Sequence, residues 1–265
     1  MRRAPLLMTG VVLLVAGSAV SPTQAVYHGE RAPFGSFGFM VSLRPPEHPN
    51  LHLCGGTLIA PDIVLSAAHC LGRANPKRLT AIVGADKPDW REARTVPITG
   101  YRVAPRFSLR SSNRNDLVLL RLARAQPGSV VGLADAEPRQ GASVTTAGWG
   151  CTDRPRKPWK CRRHPSHLQA AQQRVVSDSR CNRSTFWNPP AHTPSSICAK
   201  GSDAVSNLGD SGGPLLVGDP EGGFTQVGVV SLLADKPKAP LNAYTSVPTL
   251  QRWIDRAVAR LSAGG

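Results

Sequence analysis

The chain has 265 residues and carries 32 lysines and arginines against 17 acidic residues, a formal net charge of +15 at pH 7. Aromatic residues make up only 5% of it, whereas 25 glycines and 24 prolines interrupt it. This composition argues against a helical bundle and is typical of short strands joined by many turns. A surface of this charge attracts acidic polymers. The commoner explanation of a high net charge, however, is scattered basic side chains that are simply solvated.

The first 25 residues have the organisation of a secretory signal. Arg2 and Arg3 precede an apolar stretch over 6–20, and the small residue Ala25 ends the segment. A membrane anchor is the alternative, but the stretch is short for a bilayer and glycines interrupt it. No later segment is apolar enough to span. We therefore expect residues 1–25 to be removed and the protein to be secreted and extracellular.

Short apolar runs recur along the rest of the chain and predict strands. They lie at 39–43, 80–83, 117–122, 143–147, 215–217 and 227–230. Prolines, glycines and polar residues over 127–141 break this pattern and predict a connecting segment. The one convincing helical pattern spans 249–261, where apolar side chains share one face. The sequence thus predicts an all-β protein with a C-terminal helix.

A glycine-rich turn over 207–214 contains the best candidate nucleophile, Ser211, directly after Asp210. Glycine adopts backbone dihedrals that other residues avoid, so this turn can present a serine and bring the amides of Gly209 and Ser211 to one point. That point suits a negatively charged oxygen. A serine hydroxyl is a poor nucleophile at neutral pH, so this interpretation requires a base and a group that orients the base.

Candidates for both groups lie upstream. His69 comes directly before Cys70, and Asp116 directly precedes the apolar run 117–122. Each residue alone has a plainer explanation, because a histidine beside a cysteine is usually structural and an acid before a strand is usually a turn or capping residue. Their occurrence together with Ser211 in one chain favours catalysis.

Five motifs carry these candidates, in the chain order His, Asp, Ser. They are Cys54-Gly55-Gly56-Thr57-Leu58-Ile59, Ser66-Ala67-Ala68-His69-Cys70, Asn115-Asp116-Leu117-Val118-Leu119-Leu120, Gly148-Trp149-Gly150 and Gly209-Asp210-Ser211-Gly212-Gly213-Pro214. Together they resemble the trypsin and chymotrypsin family of serine peptidases, and the signal and composition suggest a bacterial member. The resemblance implies two antiparallel six-stranded β-barrels with the active site between them. It implies one peptidase unit over 26–265, with a first barrel at about 26–130, a second at about 140–248 and the helix at about 249–261.

The resemblance also implies a secreted serine endopeptidase that works through a Ser-His-Asp triad and an acyl-enzyme intermediate. His69 would take the proton of Ser211, and Asp116 would hold the imidazole tautomer. The amides of Gly209 and Ser211 would form the oxyanion hole. Ser231 matches the strand that pairs with the substrate backbone.

Activation in this family usually needs a new N-terminus whose ammonium pairs with the acid before the serine, here Asp210. Val26 aligns with that terminus, although Tyr27 and His28 differ from the common residues. Ala25 is also the best signal-cleavage position. We therefore expect a single cut to remove the signal and to create the Val26–Asp210 ion pair without an intervening propeptide.

The specificity pocket departs from the family pattern. Val205 stands at the position where a trypsin-like preference for arginine or lysine needs an acid. Asp203 lies nearby, but the segment that contains it is shortened and gives it no clear alignment with the family. Leu208 and Leu233 complete the candidate substrate-binding set with Ser231, and a bulky Leu233 narrows the pocket. We expect small or medium apolar side chains before the scissile bond.

Six cysteines in an exported chain suggest three disulfides, and the sequence itself leaves 15 pairings open. The resemblance implies Cys54–Cys70 and Cys181–Cys198. Cys151 and Cys161 remain, and the short segment between them makes a local bridge the natural third pairing. A zinc or free-thiol role is weaker, because the chain has no Cys-x-x-Cys pair.

The expected partners are protein or peptide substrates, with acidic polymers or a protein inhibitor as further candidates. The basic cluster over 154–163 is the best polymer patch, but no nucleic-acid motif accompanies it. Loop acids over 86–92 are more often solvated than bound to calcium, so we expect no metal. We also expect no cofactor and a monomer. The alternatives to an enzyme are a non-catalytic homologue that acts as an extracellular binding protein and an adhesion role for the basic surface.

Overall fold

The structure is a computed structural model. It describes residues 26, 29–33, 35–45, 47–48, 50–72, 76–84, 95–108, 114–127, 129–152, 164–183, 194–202, 204–233 and 241–264, and only the backbone of 182, 183 and 233. Four features with sequence-based predictions lie outside the described residues, and the predictions made for them stay predictions. They are the acidic loop 86–92, the basic cluster 154–163, Cys161 and Asp203.

The described elements are mostly strands. They are β1 (Glu30–Arg31), β2 (Met40–Arg44), β3 (Cys54–Ala60), β4 (Ile63–Ser66), β5 (Thr80–Val83), β6 (Val96–Val103), β7 (Val118–Leu122), β8 (Gly132–Leu133), β9 (Ser143–Gly148), β10 (Gln169–Val175), α1 (Asp178–Arg183), β11 (Ser196–Lys200), β12 (Pro214–Asp219), β13 (Gly223–Leu233), β14 (Leu241–Ser246) and α2 (Val247–Ser262). Two short 3-10 helices cover Ala68–Leu71 and Pro76–Arg78.

The first barrel is closed and antiparallel, with the strand order β2-β3-β4-β7-β6-β5. It closes where β2 pairs with β5, with Val41 opposite Val83. All five residues of β2 and all four of β4 are buried, including the polar residues Ser42, Arg44 and Ser66. The 3-10 helix that carries His69 follows β4 directly, so the barrel fixes the position of that residue.

The second barrel closes through β9-β10-β11-β14-β13-β12, because β9 pairs with both β10 and β12. Two short strands extend this sheet, β1 beside β10 and β8 parallel to β13. The prediction of two six-stranded antiparallel barrels and a C-terminal helix is confirmed.

A large apolar core fills the first barrel and continues to residues of the second barrel and of α2. A smaller core lies in the second barrel around Tyr244 and Val230. Where the barrels meet, the buried hydroxyl of Thr57 donates to Gln226 Oε1 at 2.6 Å, and the Gln226 amide donates to the carbonyl of Gly228. These bonds satisfy polar groups that would be costly to bury alone.

The C-terminal helix α2 packs on the first barrel through its apolar face. Ser246 caps it by accepting the amide of Thr249, and a proline in the first turn is tolerated because no helical hydrogen bond is lost there. At the other end, Arg121 donates to the carbonyl of Leu261 at 2.7 Å. None of the helices in the described part of the chain is long and apolar enough to cross a bilayer.

Candidate active site

Asp116 is fully buried and holds His69 by two hydrogen bonds. Its Oδ1 accepts the backbone N–H of His69 at 2.8 Å, and its Oδ2 lies 2.6 Å from Nδ1. Because a carboxylate only accepts, Nδ1 is the ring nitrogen that carries a proton, and in the neutral ring Nε2 is the acceptor. The His69 side chain is 21% exposed, so solvent or a ligand can reach it. This arrangement suits an imidazole that accepts a proton.

Further groups fix the Asp116 carboxyl and its backbone. The hydroxyl of Ser231, on β13, donates to Oδ2 at 2.6 Å, and that of Thr245 donates to the backbone carbonyl at 3.3 Å. Directly before Asp116, Asn115 has a positive φ of 53°, and its side chain bonds Pro105 and Ser195. Both barrels therefore contribute to the orientation of one carboxylate.

The loop with Ser211 lies against β3 and against the end of β4, the strand that leads to His69. The carbonyl of Ser211 accepts the amide of Gly55 at 2.7 Å. Gly212, with φ 81°, packs so closely on Gly55 and Ser66 that a Cβ atom would overlap with both. The sequence therefore needs glycine here, and the contact places the residue after Ser211 beside Ser66 and Ala67, which precede His69 in the chain.

The backbone of this loop offers two unused donors. Gly209 has φ 97°, a conformation that favours glycine. In the part of the chain that the structure describes, the amides of Gly209 and Ser211 donate to no protein acceptor, whereas those of Asp210, Gly212 and Gly213 donate to backbone carbonyls. Two free amides on either side of one residue suit the binding of an oxyanion.

His52 is a site residue that the sequence did not predict. It is buried, its Nε2 donates to the carbonyl of Gly209 at 2.8 Å, and its Nδ1 accepts the hydroxyl of Ser42 at 2.7 Å. That hydroxyl accepts from the buried Arg44 at 3.1 Å. Burial lowers the pKa of His52 to about 3, so the ring is neutral near pH 7. His52 thus anchors the loop that carries the two free amides.

A second unpredicted histidine, His164, also lies beside Gly209. Its ring is 6.0 Å from that of His52, and its Nδ1 donates to the carbonyl of Trp149 at 3.0 Å. A Cβ atom on Gly209 would lie 3.2 Å from Cε1 of His164. Single histidines outside any motif carry no sequence signal for such contacts, which join residues far apart in the chain.

Asp210 is fully buried beside the candidate nucleophile. Its two oxygens accept the amides of Gly150 and Asn207, each at 2.7 Å. Burial raises the pKa of Asp210 to about 7, and these two hydrogen bonds oppose the shift. Among the described residues no cationic side chain is ion-paired with Asp210. Val26, the predicted partner, is also fully buried.

The predicted substrate-binding residues are described only in part. Val205 and Leu208 are half-buried, and the carbonyl of Leu208 accepts the amide of Cys151 at 2.7 Å. Ser231 is buried and bonded to Asp116, so its hydroxyl has a role that the sequence did not suggest. The side chain of Leu233 lies outside the described part. Size and shape of the pocket therefore stay predictions.

The structure contains the disulfides Cys54–Cys70 and Cys181–Cys198. Cys151 is buried and disulfide-bonded, and the pairing with Cys161 stays a prediction. Within the described residues, one group has the composition of a metal site, namely Cys54, His69 and Cys70. Because its sulfurs form a disulfide and the histidine bonds Asp116, the group offers no thiolate for a metal.

Comparison with known proteins agrees with this geometry. A family model described as trypsin matches residues 26–254. Trypsin epsilon of Drosophila erecta is 32% identical over 212 residues, 77% of either chain, and trypsin delta of that species is 28% identical over 233 residues, 86% of either chain. These relatives give no support to the expected bacterial origin. Neuropsin, a serine protease expressed in the limbic system of mouse brain, has the same fold, with a TM-score of 0.73 at 24% identity over 88% of this chain and all of that one. The chain belongs to the trypsin family.

Proposed function

We propose that the protein is a secreted serine endopeptidase with Ser211 as nucleophile, His69 as base and Asp116 as the orienting acid. The observation that carries the proposal is the pair of hydrogen bonds that His69 donates to the buried Asp116 through its backbone N–H and Nδ1, because Nε2 is then the ring nitrogen that Asp116 does not engage. The contact of Ser211 with Gly55 supports it, because it holds the candidate nucleophile near the segment that carries His69.

The mechanism follows from these groups. Nε2 of His69 accepts the hydroxyl proton of Ser211 as its oxygen attacks a peptide carbonyl, and the imidazolium then protonates the leaving amine. The amides of Gly209 and Ser211 bind the oxyanion, and one such donor contributes roughly 3 to 4 kcal/mol. Water attacks the acyl-enzyme in the second half of the cycle, with His69 again as base.

Labelling of the mature protein by a fluorophosphonate probe tests this proposal. We expect labelling that Ser211→Ala and His69→Ala abolish and that the matched controls Ser179→Ala and His48→Ala leave intact, since both control residues are exposed. A folded protein that begins at Val26 and does not react would instead favour the non-catalytic homologue.

We also propose that cleavage after Ala25 activates the protein, because the new ammonium of Val26 would pair with Asp210. The buried Asp210 supports this proposal, since an uncompensated carboxylate is costly to bury. N-terminal sequencing of the secreted chain should start at Val26. A start well before or after Val26 would overturn the proposal.

For specificity, we propose small or medium apolar side chains before the scissile bond. Val205 supports this, because an apolar side chain stands where a cation-binding pocket needs an acid. A peptide panel tests the preference, and faster cleavage after arginine or lysine than after alanine, valine or leucine would refute it.

A further inference from the structure

A groove of about 660 Å³ lies on the second barrel, at the ends of β9, β10 and β11. Among the residues that the structure describes, its lining includes three cationic side chains, Arg174, Arg180 and Lys200, and no aspartate or glutamate. Neutral polar groups supply the rest of its polar surface, among them Gln140, Gln172, Ser143, Ser177 and Ser202. The groove therefore presents donors and positive charge to a ligand.

The strand register places two of these cations side by side. Arg174, on β10, lies directly opposite Lys200 of β11 on one side and Ser143 of β9 on the other. Residues directly opposite each other point to the same face of a sheet, and like charges there repel. Within the described part of the chain neither cation is ion-paired with a carboxylate. An anion in the groove would relieve this repulsion.

The described acidic residues nearest to the groove lie outside its lining. Glu137 and Asp178 line an adjoining depression. The Glu137 carboxylate accepts the hydroxyls of Ser246 and Thr249 at the start of α2, so it is engaged there. Arg174 and Arg180 remain exposed.

The position of the groove relates it to the candidate active site. β9 runs from Ser143 at the groove to Gly148, which packs directly on the Asp210 carboxylate. At about 3.4 Å per residue this strand covers about 17 Å. An extended polypeptide spans that distance with about five residues. A substrate bound across Ser211 would need a linking segment of about this length to place a further part of its chain in the groove.

We propose that this groove binds an acidic segment of a polypeptide substrate and so selects proteins with aspartate and glutamate near the cleavage site. The inference rests on the proposed peptidase function. Three cations around one bounded groove fit a short acidic segment better than a long polymer, which needs a continuous basic track. Exposed charge pairs of this kind raise the association rate and lower KM.

Binding is tested first in a Ser211→Ala background, where no cleavage occurs. Fluorescence anisotropy of labelled hexaglutamate is measured on this protein, on the same protein with Arg174→Gln and Lys200→Gln, and on a control with Arg256→Gln and Arg260→Gln. The control removes equal charge from exposed positions of α2. We expect the groove variant to weaken binding by about tenfold and the control by less than about threefold. Equal losses, or no binding by the parent, would overturn the proposal. The proposal would also be overturned if the binding of dextran sulfate required the two cations and the binding of hexaglutamate did not.

Kinetics separate this inference from the peptidase proposal. Two peptides share one cleavable sequence and a five-residue Gly/Ser spacer, and they end in hexaglutamate or hexaglutamine. We expect the acidic tail to lower KM with kcat unchanged, and Arg174→Gln with Lys200→Gln to remove the difference. Equal KM values for both peptides would refute the groove and leave the peptidase standing. Failure to cleave either peptide, together with no fluorophosphonate labelling, would refute the peptidase.

Discussion

Replacement of His52 by phenylalanine tests whether this buried ring fixes the oxyanion loop. Phenylalanine keeps the ring volume beside Trp149, whose ring centroid is 5.5 Å from that of His52. It removes the donor to the Gly209 carbonyl and the acceptor for Ser42. Each buried group left without a partner costs about 1 to 3 kcal/mol, so we expect the free energy of unfolding to fall by roughly 3 kcal/mol. For a chain of this size the melting temperature should fall by about 6 to 12 °C.

The same change should impair catalysis more than substrate binding. With its carbonyl released, the peptide of Gly209 no longer holds the adjacent amides in place, and loss of one oxyanion donor costs about 10²- to 10³-fold in kcat. We expect kcat to fall by up to about a hundredfold and KM to change by less than about threefold, since the interaction forms in the transition state.

The assay combines thermal melting with steady-state kinetics on a peptide substrate, at a temperature where the variant is folded. His48→Phe is the matched control, because His48 is exposed. If His52→Phe loses stability but keeps kcat within about twofold of the parent, His52 is only structural and the reasoning is refuted.

Three further predictions concern charge and hydrogen bonding. Burial raises the pKa of Asp210 from 3.8 to about 7, so without a partner ammonium the folded state binds more protons than the unfolded chain and loses stability as pH rises from about 4 to about 7. In a Ser211→Ala background, urea unfolding should show a stability gap between the chain that begins at Val26 and the chain that retains residues 1–25, and the gap should widen over that pH range; a constant gap would contradict the ion pair. Ser231→Ala removes a hydrogen bond to the Asp116 carboxylate, so kcat/KM should fall about tenfold while Ser129→Ala has no effect; equal kcat/KM values for the two variants would argue against this role. Lys200→Glu replaces the repulsion with Arg174 by an attraction, so urea denaturation should give a free energy of unfolding higher by about 0.5 to 1 kcal/mol, and a decrease would contradict the register argument.

Much of the fold is readable from the sequence, because apolar runs and burial coincide. The helix predicted over 249–261 is observed as Val247–Ser262, and it starts earlier because Ser246 caps it. β13 is longer than the predicted run 227–230. Its polar residue Gln226 is buried with its side-chain oxygen bonded to Thr57 of the other barrel, and such a tertiary partner leaves no local pattern.

In the candidate active site too, residues that stand in sequence motifs could be predicted, whereas residues held by tertiary contacts could not. Ser211, His69 and Asp116 stand in motifs, so their candidacy follows from the sequence. His52 has no motif, and its partner Gly209 lies 157 residues away in the chain. Arg44 is fully buried, contrary to the usual exposure of arginine. Residues that act through long-range contacts carry no local signal, which is why sequence reasoning missed them.

The most direct test of the central claim is active-site titration of the protein that begins at Val26, with a chromogenic ester and mass spectrometry of the quenched mixture. We predict a burst close to one product molecule per protein and an acyl group on Ser211, both absent in Ser211→Ala. A folded protein without a burst, or an acyl group on another residue, would contradict the proposal that Ser211, His69 and Asp116 form a working catalytic site.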